Sequence, residues 1–210
     1  MKVISVNIGA KNIVNWKGKR VQTGIFKKPV NQIVLNLNYV KNDIVVDTNH
    51  HAGLDKACYI YSYQSYGYWK KLYPKLSLDF GMFGENVTID KLDESKIFIG
   101  DIYKLGDATV QVTQPRQPCF KLGIRFGNQK IVKQFINAPF PGVYLKVIEK
   151  GKVAPNDKFQ LIERQHETLS IIEVWNLIYK QNVTSDEINF ALSLPYLADA
   201  CKKSLAKKHT

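Results

Sequence analysis

The sequence has few cysteines and lacks any long apolar run. Its three cysteines, Cys58, Cys119 and Cys201, are an odd set at wide spacing without a CxxC pair, so they offer no disulfide framework and favour a reducing compartment. No segment approaches the roughly 18 consecutive apolar residues that a membrane helix needs. The opening stretch MKVISVNIGAKNIVNW lacks the apolar run of a secretory signal. We therefore expect a soluble cytoplasmic protein that is not exported.

Several familiar catalytic signatures are also missing. The sequence has no GxxxxGK(S/T) phosphate loop, no strand-linked GxGxxG, no GxSxG elbow and no HExxH. It also shows no pair of carboxylates at a recognisable spacing. These absences leave nucleotide-binding folds and the common hydrolase classes without support.

Positive charge is what the sequence has in excess. The chain carries 30 Lys and Arg residues against 18 Asp and Glu residues, which gives a formal net charge of +12. Such a protein favours anionic partners, for example nucleic acid or a phosphorylated cofactor. The densest cluster is the tail CKKSLAKKHT, where cations are typical of a solvated helix end. Because no recognised nucleic-acid-binding motif accompanies the charge, nucleic acid is the less favoured partner.

The first three quarters of the chain have the pattern of a β-rich body. β-branched or aromatic residues alternate with polar ones in short runs bounded by Gly, Asn, Asp or Pro. Many short strands separated by turns predict a mainly β fold, either a barrel or a sandwich. The predicted strands cover residues 3–8, 32–37, 43–47, 57–61, 102–104, 109–113, 143–149 and 158–162.

Helical spacing appears in three places. Ser62 is a good N-cap for a helix over residues 63–73, and an apolar stripe runs along a second helix over residues 128–136. A third apolar face predicts a helix over residues 168–180, where the composition has changed from the β-rich pattern.

Two further helix signals follow in the tail. The series from Thr184 to Glu187 is a capping box that opens a helix, and Pro195 suits the first turn of another. We therefore expect a β domain at residues 1–163 and a C-terminal three-helix extension at residues 164–210.

The first polar cluster that could carry chemistry is HHAGLDK, residues 50–56. It packs two imidazoles, a carboxylate and an ammonium into seven positions at the mouth of a strand, a density that favours a functional site. A polar turn with ordinary capping is the alternative. A zinc site is disfavoured because adjacent histidines on a strand point to opposite faces.

The segment FGENVT is a weaker signal. Gly84 permits a tight turn, and Glu85 and Asn86 offer one acid and one amide. Alone, this combination predicts only a turn.

The most informative segment is QPRQPCFKL, residues 114–122. Its two prolines take the chain out of a sheet, because Pro has no backbone donor. Cys119 then stands among Arg116, Lys121 and Arg125, and nearby cations favour the thiolate, the form that attacks or ligates a metal. A buried, inert cysteine is the alternative, and it is the reading that we give to the other two cysteines.

Four segments in order, HAGLDKACYIYSYQSYGYW, FGENVT, IGDIYKLGDATVQVTQPRQPCFKL and GVYLKV, resemble those of YiiM-type proteins of the MOSC (molybdenum cofactor sulfurase C-terminal) family. The similarity covers roughly residues 2–162, and the tail resembles the three-helix extension of this subgroup. The family pattern His-Gly-Gly-x-Asp-Lys matches His51, Asp55 and Lys56, but Ala52 replaces its first Gly.

The resemblance implies a β-barrel-like MOSC fold that binds a molybdenum-molybdopterin cofactor. It also implies reduction of N-hydroxylated compounds such as hydroxylamino-purines, with a flavoprotein as the electron donor. Under that reading Cys119 ligates molybdenum, Arg116 and Lys121 bind the pterin phosphate, and His51 donates a proton or orients the substrate. The other residues assigned to cofactor binding are Asp55, Lys56, Asn86 and Arg125.

A second reading uses the same loop. In a non-catalytic carrier, Cys119 would hold sulfur or the cofactor for delivery to another protein. The sequence leaves these two alternatives open, and nucleic-acid binding through the basic surface is a less favoured third.

Overall fold

The computed structural model describes residues 1–44 and 53–207, and over these residues the fold is mainly β with several helices. None of the described helices is long and apolar enough to cross a membrane. The strands are β1 Val3–Gly9, β2 Asn12–Trp16, β3 Lys19–Thr23, β4 Lys27–Val30, β5 Ile33–Leu35, β6 Cys58–Ser62, β7 Val87–Ile89, β8 Ile102–Leu105, β9 Ala108–Pro115, β10 Val143–Glu149, β11 Gly151–Val153 and β12 Phe159–Glu163. The helices are α1 Tyr63–Leu72, α2 Phe120–Phe126, α3 Lys130–Asn137, α4 Ile171–Tyr179, α5 Ser185–Ser193 and α6 Asp199–Ala206, and a single 3-10 turn covers Leu54–Lys56.

Eight of these strands form one large mixed sheet. Its order is β12-β8-β9-β10-β6-β7-β1-β4, and all neighbours are antiparallel except β6 and β7. The central strand β6 has the sequence CYIYS and is buried at every position, because it is flanked by strands on both edges and covered on both faces. Two smaller ladders, β2 with β3 and β5 with β11, complete the described strands.

Strand β12 and the start of β1 approach each other near the N-terminus. An isolated antiparallel bridge joins Lys2 to Lys158, and the Val3 amide donates to the Asp157 carbonyl at 2.8 Å. The strand ladders themselves do not close, because β12 and β4 remain at the ends of the order. The β-barrel-like description therefore stays a prediction.

The core has two clusters of different composition. The larger one is mostly aliphatic, and it packs strand residues against the tail helices, with Ile171 and Leu205 fully buried in it. The smaller one is aromatic and lies under α1 and α3, where Trp69 stacks on Phe135 at a centroid distance of 5.8 Å. Since the tail helices share the first cluster with the sheet, they help to hold the site loops that are described below. The division at residues 163 and 164 stays a prediction.

The tail helices begin at well-formed caps. The predicted capping box at Thr184 is present, with the Thr184 hydroxyl accepting from the Glu187 amide and the Glu187 carboxylate accepting from the Thr184 amide. The prediction for Pro195 was wrong: this residue lies in the turn before α6, which begins at Asp199. A proline disfavours helical geometry at the residue before it, and here that residue, Leu194, is extended.

Several short elements were not predicted. These are the β2–β3 hairpin, β4, β7, β11 and helix α2. The strand expected at residues 43–47 lies mostly outside the described residues, and Asp43 and Ile44 belong to no strand.

Candidate functional site

A cavity of about 430 Å³ opens beside the central strands. Its wall is built by the chain after β3 and after β5, by the 3-10 turn, by the segment before β7 and by the loop after β9. Pockets of roughly 300 to 1,000 Å³ are usual for small molecules and cofactors. Loops that meet over strand ends are also where binding residues concentrate. The cavity is therefore the candidate site.

Cys119 stands on the wall of this cavity at the start of α2. Strand β9 ends at Pro115, and the chain runs through the second proline of the loop to Cys119, which has extended geometry (φ −122°, ψ 172°). The Cys119 side chain is partly exposed, and it makes no capping hydrogen bond to the helix. Instead, the backbone carbonyl of Cys119 accepts a hydrogen bond from the Leu122 amide in the first turn of the helix, at 3.0 Å. The thiol is therefore available to the cavity.

The other two cysteines lie in different surroundings. Cys58 and Cys201 are fully buried, and burial raises the pKa of each thiol to about 12. Both thiols therefore stay protonated near neutral pH, which makes them poor ligands and poor nucleophiles.

Arg116 is a buried cation on the same wall. Only 6% of this residue is exposed, and its guanidinium carbon lies 5.3 Å from the ring centroids of both Tyr59 and Phe135. Within the described chain its Nη1 atom has no hydrogen-bond partner. A buried donor without a partner is costly, on the order of 1–3 kcal/mol, so natural sites of this kind call for an acceptor.

Two tyrosines line the cavity next to this guanidinium. Burial raises the pKa of the Tyr59 and Tyr144 hydroxyls, and the positive charge of Arg116 opposes the rise. Tyr59 donates its hydroxyl to the Pro141 carbonyl at 2.9 Å, which fixes its ring. Both phenols therefore stay neutral and act as wall groups and hydrogen-bonding groups rather than as anions.

A buried ion pair forms another part of the wall. Lys27 and Asp43 pair through Nζ and Oδ2, with side chains only 8% and 4% exposed. Asp43 also accepts from the Gly9 amide at 2.6 Å and from the Asn86 side-chain amide at 2.9 Å. Sequence reasoning missed this pair, because its two members are 16 residues apart and belong to no shared local motif.

Asn86 and Glu85 explain the local role of FGENVT. The Asn86 side chain donates to Asp43 and accepts from the Tyr59 amide at 3.2 Å, so it ties three segments of the wall together. Glu85 is fully buried and accepts from the Gly81 amide at 2.9 Å and from the Phe83 amide at 3.1 Å. Burial raises the pKa of the Glu85 carboxyl. Glu85 shapes the turn, and Asn86 reaches the cavity.

The structure brings together most of the sequence-predicted site residues. Two of them do not line the cavity: Asp55, whose backbone carbonyl accepts from the Thr113 hydroxyl at 2.7 Å, and Arg125, whose guanidinium carbon lies 5.1 Å from the Phe26 ring centroid. His51 lies outside the described residues. Those that do line the cavity are Lys56, Asn86, Arg116, Cys119 and Lys121.

The charge of this wall is strongly positive. Among the described residues it carries four cations, Lys27, Lys56, Arg116 and Lys121, against the single carboxylate of Asp43. The arrangement is therefore suited to an anionic ligand, with a thiol placed to bind a soft metal.

Helix α6 supports the loop that carries these groups. The Gln117 side-chain amide donates to the Ser204 hydroxyl at 3.3 Å, and Lys56 is near enough to Cys201 to oppose the rise of its pKa. The tail helix thus contacts the Cys119 loop and carries Cys201 close enough to the 3-10 turn to sense the charge of Lys56.

Comparisons with known proteins agree on one family. The MOSC domain model matches residues 47–160. The chain is 32% identical to the uncharacterized protein YflK of Bacillus subtilis over 98% of this chain and 93% of that protein. It is also 32% identical to a protein named "Reductase" from Gibberella moniliformis over 69% of this chain, but it spans only 26% of that protein. The crystal structure of YiiM from Geobacillus stearothermophilus is similar with a TM-score of 0.82 at 28% identity, covering 100% of this chain and 99% of that one.

Proposed function

The chain belongs to the MOSC domain family, and we propose that it is a molybdenum-cofactor-dependent reductase of N-hydroxylated compounds such as hydroxylamino-purines. One observation carries the proposal: the partly exposed Cys119 thiol shares a cavity with the buried, incompletely bonded guanidinium of Arg116. The name of the fungal relative is in keeping with reduction.

The residues of the cavity fit the cofactor. Sulfur is a soft donor that suits molybdenum better than carboxylate oxygen does, and Cys119 is the cysteine on this wall. The Nη1 atom of Arg116 is a donor without an acceptor among the described residues. A phosphate oxygen would accept from it in a charge-assisted hydrogen bond. Lys56 and Lys121 add positive charge on the same wall.

The reaction has simple requirements. Converting an N–OH group to an N–H group breaks the N–O bond, consumes two electrons and two protons, and releases one water. The bound cofactor supplies the two-electron chemistry. The chain supplies orientation: the partly buried Tyr144 offers a ring face for a planar base, and the apolar wall residues Ile25 and Val40 limit access of water. In this proposal His51 donates a proton or orients the substrate, and a flavoprotein provides the electrons.

The test compares two single cysteine variants made in a host that synthesises the molybdenum cofactor. Cys119→Ser should fold normally, as circular dichroism can check, but lose most of its molybdenum and its turnover of a hydroxylamino-purine with an artificial electron donor. Cys201→Ser is the control, because that thiol is fully buried away from the cavity wall. Wild-type metal content and turnover in Cys119→Ser would contradict the proposal. A persulfide on Cys119 without turnover in the wild type would indicate the carrier function instead.

A further inference from the structure

The β2–β3 hairpin leads directly into the wall of the cavity. Its strands form a ladder only with each other within the described chain, in the register Val14 to Val21 and Trp16 to Lys19. The tip is Lys17-Gly18, with φ values of 49° and 76°, the positive values that a tight two-residue hairpin turn requires. A two-stranded hairpin alone is marginally stable in water, so a contact that covers it is physically favourable.

The charge on this hairpin has one sign. Residues 10–24 contain Lys11, Lys17, Lys19 and Arg20, all exposed, and no acidic side chain. Exposed cations on a narrow ribbon steer association with an oppositely charged surface and repel a like-charged one.

The hairpin also carries apolar groups. Val14, Trp16 and Val21 lie on one face and are only partly buried, and Ile13 on the other face is 50% exposed. Aromatic and aliphatic groups with polar groups beside them form a composition that protein interfaces favour. Phosphate backbones would use the cations but not these aliphatic groups.

The position of the hairpin links it to the candidate site. Strand β3 ends at Thr23, which lines the cavity together with the next two residues, Gly24 and Ile25. Five extended residues span roughly 16 Å, so a partner bound along the hairpin lies next to the cavity. The cavity rim adds Tyr39 and Ile44, which are 54% and 42% exposed.

We propose that the β2–β3 hairpin is the docking arm for an acidic electron-transfer protein. The inference rests on the proposed function, because a reductase must receive two electrons for each substrate molecule and its donor must approach the cavity. A second copy of this chain is a poor occupant, since each copy has a net charge of +12. The donor loses two electrons, the substrate gains them together with two protons, and one water leaves.

The test uses a flavodoxin, a small acidic flavoprotein, as the probe. Binding of oxidised flavodoxin to the full-length protein is measured by calorimetry at low ionic strength and again in about 0.5 M salt, where exposed charges are strongly screened. The variant Lys17→Glu/Lys19→Glu reverses two tip charges. Lys70→Glu/Lys71→Glu is the matched control, because it makes the same change in net charge at exposed positions on α1. We expect tip reversal to weaken binding at least tenfold, the control to change it less than threefold, and salt to weaken the wild type.

A second readout separates this inference from the proposed function. Turnover driven by reduced flavodoxin should fall in the tip variant, whereas turnover driven by reduced methyl viologen should match the wild type. Absence of methyl viologen turnover in the wild type would count against the reductase, and the binding data would still decide on docking. Equal flavodoxin affinity in the tip and control variants, or no saturable binding to the wild type, would overturn the docking arm. Tip-dependent binding of a DNA duplex without flavodoxin binding would overturn it in favour of nucleic acid.

Discussion

Replacing Asp43 with Asn should destabilise the protein strongly. The carboxylate of Asp43 accepts from three donors: the Lys27 ammonium, the Gly9 amide and the Asn86 side chain. Asparagine keeps the shape but turns one acceptor oxygen into an NH2 group. In either orientation, that group faces at least one of these donors, and Lys27 loses the charge that compensates its own.

The expected magnitude follows from the burial of the pair. Its side chains are 8% and 4% exposed, and removing one partner of a buried ion pair costs about 3–5 kcal/mol. That is a large part of a total stability on the order of 5–15 kcal/mol. The free energy of unfolding falls by about 2–3 kcal/mol per M of urea, so the urea midpoint should fall by about 1–2.5 M.

A double variant provides the control. Lys27→Met/Asp43→Asn removes the unpaired ammonium and leaves an apolar side chain of similar length, so it should regain most of the lost stability. A loss below about 1 kcal/mol in Asp43→Asn, or a double variant less stable than the single, would show that solvent already screens the pair and that the reasoning fails.

Two further predictions concern groups away from the cavity. Burial raises the pKa of Glu94 to about 7, so the folded protein binds this proton more tightly than the unfolded chain, and the contribution of Glu94 to stability should fall as pH rises from 4.5 to 7. The free energy of unfolding of Glu94→Gln should fall less across this pH range than that of the wild type. Identical slopes of unfolding free energy against pH would contradict the assignment. Trp69 is fully buried and donates to the Tyr61 hydroxyl at 2.7 Å, so Trp69→Ala should cost about 3–5 kcal/mol. Trp16→Ala on the partly exposed hairpin is its control, and equal losses in urea unfolding would contradict the packing argument.

The sequence predicted the elements whose patterns are local. The strand at residues 143–149 matches β10, because Val143, Leu145 and Val147 alternate with less buried residues, as a half-covered strand requires. The capping box at Thr184 was also predictable, since it depends on two side chains three residues apart.

Other elements had weak or no local signals. The β2–β3 hairpin turns at Lys17-Gly18, a less distinctive pair than Asn-Gly, and its strands are polar enough to resemble a loop. Helix α2 has only seven residues and directly follows a proline-rich loop, which hides its helical spacing. The pairing of Lys27 with Asp43 depends on how β4 and the segment after β5 meet in three dimensions, and no spacing rule gives that meeting.

The charge balance of the cavity connects its stability to its function. Lys27 and Asp43 form an ion pair, and the described wall carries Lys56, Arg116 and Lys121 as further cations. Concentrating like charges at a partly desolvated surface raises the free energy of the protein without a ligand. That cost is tolerable because the two contributing segments are held independently, the 3-10 turn through Thr113 and the Cys119 loop through Ser204. Under the proposed function, an anionic cofactor in the cavity would reduce this repulsion and offer an acceptor to Arg116, so the same charges would favour its binding.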